Sequence, residues 1–211
     1  MGNLEFIEAE EDYFQTINYQ TCNFFYTTAT SENFLKNVTG LANLNGGSCW
    51  IGLSSATKIK GCDAISEIKF ITDIIKPLEI RFIIKKFITK NKQLLQVEIL
   101  PSLNKISFNK VYYIADNSIC IEANKIILNS WKKPKNESSF FFKLAPSLQD
   151  LILNTLKETS KFTLSKAYTL FSLSKSEIDK IISELYQLNK LKLTLENNSI
   201  NFNYLEIDEI R

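Results

Sequence analysis

Apolar residues change period several times along the chain, and each change predicts an element. Phe34, Leu35, Val38, Leu41 and Ala42 fall at helical spacing behind Ser31, predicting a helix of about three turns with Ser31 as N-cap. Asn43-Leu44-Asn45-Gly46-Gly47 ends it, and Ser48–Leu53 reads as a buried strand. After a polar loop over 54–61, Ala64, Ile65, Ile68, Ile71, Ile74 and Ile75 return to helical spacing until Pro77. Leu78, Ile80, Phe82 and Ile84 then alternate with Glu79, Arg81 and Lys85, predicting a half-buried strand. The turn 89–92 leads to a partner strand through Leu95, Val97 and Ile99, closed by Pro101. Val111–Ala115 and Ser118–Glu122 read as two short strands around Asp116-Asn117. Ile126–Trp131 suits a short helix or a last extended piece. Residues 1–30 give competing signals: Glu10, Glu11 and Asp12 suit a helix start, yet β-formers crowd 13–28.

Residues 132–139 have linker composition, and the pattern beyond them is different. Pro146 suits the first turn of a helix carrying Leu148, Leu151, Ile152 and Leu156, and a shorter helix is predicted over Leu164–Phe171. Ser174-Lys175-Ser176-Glu177 is a capping box that starts a third helix, with Ile178, Ile181, Ile182, Leu185 and Leu188 on its apolar face. Leu191, Leu193 and Leu195 alternate, 196–199 turns, and Ile200, Phe202 and Tyr204 alternate back. Three helices followed by a hairpin is the order of a winged helix-turn-helix. The fold class expected is therefore α+β: a mixed, mainly antiparallel sheet with helices over residues 1–139, then a small winged-helix domain over 140–211.

Composition narrows the chemistry. The 211 residues contain no histidine, which excludes a Ser-His-Asp triad, a Cys-His dyad and any histidine metal site. The four cysteines, at 22, 49, 62 and 120, form no CxxC pair, so neither a zinc site nor a thioredoxin motif is expected. Cys49 and Cys120 sit among apolar residues and read as small buried hydrophobes. Scattered thiols without a signal peptide suggest a reducing cytoplasm, and no apolar stretch approaches a membrane span. Trp50 and Trp131 are read as core, and Phe140-Phe141-Phe142 either as packing beside the linker or as an apolar patch for self-association.

The net charge of +2 conceals a gradient: residues 1–12 carry −5, residues 13–144 carry +8 and residues 145–211 carry −1. A basic middle segment favours a polyanionic partner through counterion release. It makes Lys58, Lys60, Arg81, Lys85 and Lys86 candidates for phosphate contact. The third helix of the C-terminal domain offers Lys175 and Lys180 against Glu177, Asp179 and Glu184, a poor balance for reading duplex DNA. Lys190 and Lys192, with Lys161 and Lys166, are candidates for phosphate contact beside it; many winged helices instead serve as protein-contact or dimerisation units. The turn residues Asn43, Gly46 and Gly47, with Gly52 and Gly61, let backbone approach something closely. That something is either a phosphate held by backbone amides or a neighbouring strand.

These glycines also carry a resemblance. Leu41-Ala42-Asn43, Gly46-Gly47, Ile51-Gly52-Leu53 and Ile59-Lys60-Gly61 occupy the places of a signature that typically reads helix, Ala-Phe-Ala-Asn-x-x-Gly-Gly, strand, Ile-Gly-Val, loop, Ile-x-Gly. The strand ending in Pro101-Ser102 and the block Tyr112–Trp131, with its Ala-Asp-Asn loop, are similar to later blocks found in a bacterial branch of the same family. Residues 20–133 thus resemble the Schlafen AlbA_2 family, a putative DNA-binding domain family. The resemblance implies a nucleic-acid-binding or transcription-regulatory protein, a homodimer, with DNA or RNA as partner. Family members usually carry an acidic Glu-aromatic-Lys motif about twenty residues before the Asn of the turn, and in members that cleave RNA acids near there contribute to a metal site. Here that place falls near Asn23-Phe24-Phe25, and both the acid and the lysine are missing, as is the Arg usual near Val111–Ala115. No catalytic residue, metal or cofactor is therefore expected, because metal-assisted hydrolysis needs convergent carboxylates. A protein-interaction scaffold and a residual metal-dependent nuclease are the alternatives.

Overall fold

The computed structural model describes residues 3–8, 23–30, 32–55, 58–89, 91–132 and 140–205, the first six as backbone alone. The protein is α+β, and it divides into two compact units, Met1–Glu122 and Ala123–Arg211. Composition places the boundary at 139/140; the compact units divide at 122/123 because the short helix that follows packs with the C-terminal elements. The linker residues 133–139 and the Ser31 cap lie outside the described residues.

Unit 1 is built on a five-stranded sheet. Its strands are β1 (Asn3–Glu8), β2 (Asn23–Tyr26), β3 (Gly47–Ile51), β6 (Phe82–Thr89) and β7 (Lys92–Ile99), in the order β1-β6-β7-β3-β2. The central pairings β6–β7 and β7–β3 are antiparallel, whereas the edges β1 and β2 pair in parallel with β6 and β3. Neither edge strand is separable by periodicity within residues 1–30. Helices α1 (Glu32–Asn43) and α2 (Ala64–Ile75) bury Phe34, Val38, Leu41, Ile71 and Ile75 against one sheet face, with Cys49, Ile51, Val97 and Ile99. Trp50, Leu53, Phe87 and Leu94 form a second cluster, in which the Trp50 and Phe87 rings lie 5.4 Å apart. Asn23 accepts the Trp50 indole N–H at 3.0 Å, so that buried donor is satisfied. Cys49 is fully buried; Cys120 is half-buried and packs against the first core.

Two sequence expectations change here. The strand expected from Ser48 to Leu53 is interrupted at Gly52, whose φ of +88° turns the chain into the hairpin β4 (Leu53–Ser55) and β5 (Lys58–Ile59). The strand expected from Leu78 begins only at Phe82. Pro77 sits in a 3-10 turn after α2, and Glu79 takes φ +56°, so the alternation at Leu78 and Ile80 reflects burial at a corner rather than a strand. A small sheet, β8 (Ser107–Phe108), β9 (Val111–Asp116) and β10 (Ile119–Glu122), completes the unit. Its tight turns use Asn109-Lys110 and Asn117-Ser118, each pair at positive φ, as two-residue hairpins require.

Unit 2 opens with α3 (Lys125–Ser130), capped by Asn124, which settles the open reading of that segment as helix. Trp131 beyond it is half-buried rather than core. Then follow α4 (Pro146–Thr159), β11 (Lys161–Thr163), α5 (Leu164–Leu170), α6 (Lys175–Gln187), β12 (Leu191–Glu196) and β13 (Ser199–Tyr204). The strands form a sheet in the order β11-β13-β12, and Asn197-Asn198 make the hairpin turn at positive φ. This is winged-helix topology. Its core joins Ile152, Leu156, Phe162, Ile178, Ile182, Leu185, Leu193 and Phe202; Leu151, expected on the same apolar face, is 58% exposed. Phe141 is buried and Phe142 is 62% exposed, so the Phe140–Phe142 run divides between packing and surface.

Candidate nucleic-acid interface

Asn43 is wholly buried at the end of α1, and its amide is fully engaged. Its Nδ2 donates to the carbonyls of Ile106 (2.7 Å) and Tyr113 (2.9 Å), and its Oδ1 accepts the Ile106 N–H (2.7 Å). Its own carbonyl accepts from the Lys105 ammonium at 3.0 Å, a cation whose pKa burial lowers. One side chain thus ties α1 to β9 and to the segment before β8. The chain then turns through Gly46 (φ +78°), whose N–H closes on the Leu41 carbonyl at 2.9 Å. A Cβ at Gly46 would lie 2.6 Å from the Ile99 carbonyl oxygen. Gly47 (φ +148°) enters β3 opposite Ile99.

The second glycine pair makes a pinch. The Gly52 N–H donates to Tyr26 O at 2.8 Å, and the Gly52 carbonyl accepts from both Lys60 (2.7 Å) and Gly61 (2.9 Å). A Cβ at Gly52 would stand 2.7 Å from Leu94 Cδ2 and 3.1 Å from the Gly61 carbonyl carbon. The close approach is to the Ile99 backbone at Gly46 and to the Leu94 side chain and the Gly61 backbone at Gly52, and the amides of Gly46, Gly52 and Gly61 already hold carbonyl partners. The glycines shape the surface; of the two readings of their purpose, strand packing accounts for these contacts.

The structure groups some of the candidate bases and separates others. Lys58 and Lys60 are exposed on either side of Ile59, and the Lys92 ammonium lies 3.1 Å from the Ile59 carbonyl. Among the described residues no carboxylate pairs with any of the three. Lys92 belongs with this cluster and was not legible as such, because its place depends on the β6–β7 turn meeting the β4–β5 hairpin. Arg81 stands just before β6, about 26 Å away along the strand at roughly 3.3 Å per residue, and bonds the Pro101 carbonyl at 3.1 Å. Lys85 is half-buried and ion-paired with Glu98 at 2.9 Å. Lys86, its neighbour, takes the other sheet face and lies near enough to Cys62 to temper that thiol, whose pKa burial, Glu67 and Asp63 raise to about 11. So Lys58 and Lys60 converge, and Arg81, Lys85 and Lys86 do not join them.

In unit 2, Lys175 stands over the Tyr168 ring at 5.5 Å, and Lys192 is exposed on β12. Lys190 is half-buried at the entry to that strand, and its backbone joins Leu185 and Leu205. Lys161 is exposed and paired with Glu196. The acids of α6 are all engaged within the unit. Glu177 closes the capping box with Ser174, which holds its carboxyl below the usual range. Asp179 accepts the Tyr168 hydroxyl at 2.5 Å; burial first, then this acid, pushes that phenol up to about 12. Glu184 accepts the N–H groups of Phe140 (2.7 Å) and Phe141 (2.8 Å). Counting charges along α6 misses this: its three carboxylates keep their charge, and each also serves as an internal hydrogen-bond acceptor.

Among the described residues no three of His, Cys, Asp and Glu stand close enough to hold a metal ion, and no helix is long and apolar enough to cross a membrane. No protein-family model matches the chain, and no curated protein matches it. Among solved structures it is similar to the DIP2311 protein from Corynebacterium diphtheriae, with 10% identity over 87% of this chain and a TM-score of 0.45; the likeness spans 38% of that protein.

Proposed function

We propose that this chain is a non-catalytic nucleic-acid-binding, transcription-regulatory protein that holds the phosphate backbone electrostatically through unit 1. The observation that carries the reading is the hairpin cluster: Lys58 and Lys60 are exposed on either side of Ile59, and the Lys92 ammonium bonds the Ile59 carbonyl, beside the Gly52–Gly61 pinch. Three ammonium groups on neighbouring strands suit consecutive phosphates, and the contact carries no base specificity. The resemblance of residues 20–133 to the Schlafen AlbA_2 family supports the same assignment, with DNA or RNA as the partner and a homodimer as the working form.

The test is anisotropy titration with duplex DNA and with single-stranded RNA at 50 and 200 mM salt. Three phosphate contacts imply a salt slope of about −2.7 on duplex DNA, or roughly a 40-fold loss of affinity over that range. The K58E/K60E/K92E variant is expected to lose most of that slope. No binding at low salt, or an unchanged slope in the variant, overturns the proposal.

A second reading, a protein-interaction scaffold, is favoured by one observation: unit 2 leaves Phe142 and Leu151 mostly exposed. It expects a specific protein partner whose recovery survives nuclease treatment and fails with Phe142→Ser and Leu151→Ser.

A further inference from the structure

In a winged helix, the helix before the hairpin is the one that enters the DNA major groove. Here that helix is α6. Ile178, Ile181, Ile182 and Leu185 face the core of the unit. The opposite face, stepping by four and three, carries Ser176, Lys180, Ser183 and Gln187. Lysine, serine and glutamine are base-edge and phosphate donors. Most of this face is already occupied by the chain itself.

Helix α3 covers one flank. Ile126 and Ile127 are wholly buried. Gln187 Nε2 donates to the carbonyls of Ser130 (2.8 Å) and Lys132 (3.0 Å); Ser183, itself buried, donates its hydroxyl to the Asp179 carbonyl of its own helix at 2.7 Å and lies 3.2 Å from the Ile126 carbonyl. Lys125 approaches Asp179 at 3.9 Å. The 140–143 segment covers the other flank, with Glu184 holding two of its amides and Lys180 5.2 Å from the Phe140 ring. The Gln187 amide is thus met by main-chain carbonyls, the same acceptor chemistry that purine O6 and N7 and thymine O4 present in the major groove. Lys175 and Ser176, in the first turn, stay exposed.

We infer that α6 carries a duplex-reading face and that α3 is an autoinhibitory cover seated on it. The carbonyls of Ser130 and Lys132 stand in for base edges, and lifting α3 hands Gln187 to DNA. The inference concerns unit 2 alone and does not rest on the hairpin cluster of unit 1.

The experiment uses the full chain carrying K58E/K60E/K92E, so that unit 1 contributes no phosphate contact. Ile126→Glu with Ile127→Glu releases the cover, and Ile127→Ala loosens it while keeping the unit folded. Hydrogen exchange of residues 124–132 reports whether α3 has lifted; anisotropy at 50 mM salt reports duplex affinity. In the release variant, exchange is expected to accelerate, and duplex DNA to bind at least about tenfold more tightly, the worth of one good base contact. Adding Lys175→Glu, Lys180→Glu and Gln187→Ala is expected to abolish the gain. Ile127→Ala is expected to give a smaller gain, about threefold, in step with its exchange; should the release variant fail to fold, this variant decides the question. Faster exchange with affinity unchanged within twofold overturns the inference, because α3 is then structural packing only. A gain that survives the three α6 substitutions overturns it too, as does exchange that neither substitution accelerates.

Discussion

The β4–β5 hairpin of unit 1 and helix α6 of unit 2 are both lysine-bearing elements announced by local sequence signals, and they differ in what their polar groups do. At the hairpin the backbone satisfies itself: Gly52 O takes two N–H groups, and the ammonium groups of Lys58 and Lys60 are left to solvent. On α6 the side chains do the satisfying. Glu177, Asp179, Glu184, Ser183 and Gln187 each hold a partner inside the unit. Net charge along the sequence therefore misjudges both. It counts the acids of α6 without the donors they hold in place, and it ranks the whole middle segment as basic although Lys85 is paired. What distinguishes a surface for phosphate is the number of cations left without an internal carboxylate, and that number belongs to tertiary structure.

The comparison predicts that unit 1 breaks where its turn backbone is closed, by the Asn43 amide and at Gly52, and unit 2 where the side chains of α6 hold their partners. The largest effect is expected at Asn43 and Gly52. Asn43→Ala strips partners from Ile106 N–H and from the Ile106 and Tyr113 carbonyls, all held by one buried amide. At about 1–3 kcal/mol for each buried group left unpaired, a loss of roughly 3 kcal/mol or more is expected. Gly52→Ala forces a side chain to φ +88° and against Leu94 and Gly61, with an expected loss of about 2–3 kcal/mol. Urea unfolding of both variants checks this. A loss below about 1 kcal/mol in each would mean that the turn relaxes and that backbone closure does not hold unit 1 together.

How much of this could be read beforehand follows from the range of the interactions. The capping box Ser174–Glu177 and the turn at Asn197-Asn198 are local, and both form where their residues stand. The α+β class follows from the change of period, which is also local. Asn43 was legible as a turn residue, but its partners at 106 and 113 lie more than sixty positions away, and nothing in the turn announces them. The same holds for Lys92, which joins Lys58 and Lys60 only because two hairpins meet. Strand β1 escaped because a parallel edge strand gives no turn signal linking it to β6. Ala123–Trp131 was assigned to the first domain by proximity in sequence; it packs with α6 because Ile126 and Ile127 need a core and Gln187 supplies the hydrogen bonds.

The next effect in size tests the other side of the comparison. Glu184→Ala removes the acceptor for two backbone amides, those of Phe140 and Phe141. Charge-assisted bonds of this kind contribute about 1.5–3 kcal/mol, but the segment is half-exposed and water replaces part of the loss. A destabilisation of about 1.5–2 kcal/mol is expected, confined to unit 2. Native-state hydrogen exchange resolves the units: α6 is expected to exchange faster while α1 and β3 are unchanged. Equal acceleration in both units would show that they unfold together, and the contrast between them would lose its energetic meaning.

The smallest effect concerns the start of α6, where the helix is held by side chains at its surface. Ser174→Ala removes the acceptor for the Glu177 N–H and the hydroxyl donor to its carboxylate, and the expected cost is about 1 kcal/mol. Ser174 holds the Glu177 carboxyl below its ordinary range, so the folded chain binds this proton more weakly than the unfolded chain does. A group depressed in this way adds stability that is complete above the ordinary glutamate range and disappears as pH falls through the folded value. The difference in midpoint between the natural chain and Ser174→Ala is therefore expected to be constant from neutral pH down to about 5 and to shrink at more acid pH. Because Glu177 lies at the surface and is only partly buried, salt is expected to narrow the difference further at neutral pH. Thermal melts of the two proteins between pH 3 and 7 measure it. A difference that grows toward acid pH would mean that the hydroxyl of Ser174 caps α6 without the Glu177 carboxylate, and that α6 is held at its start by one bond rather than by the reciprocal pair.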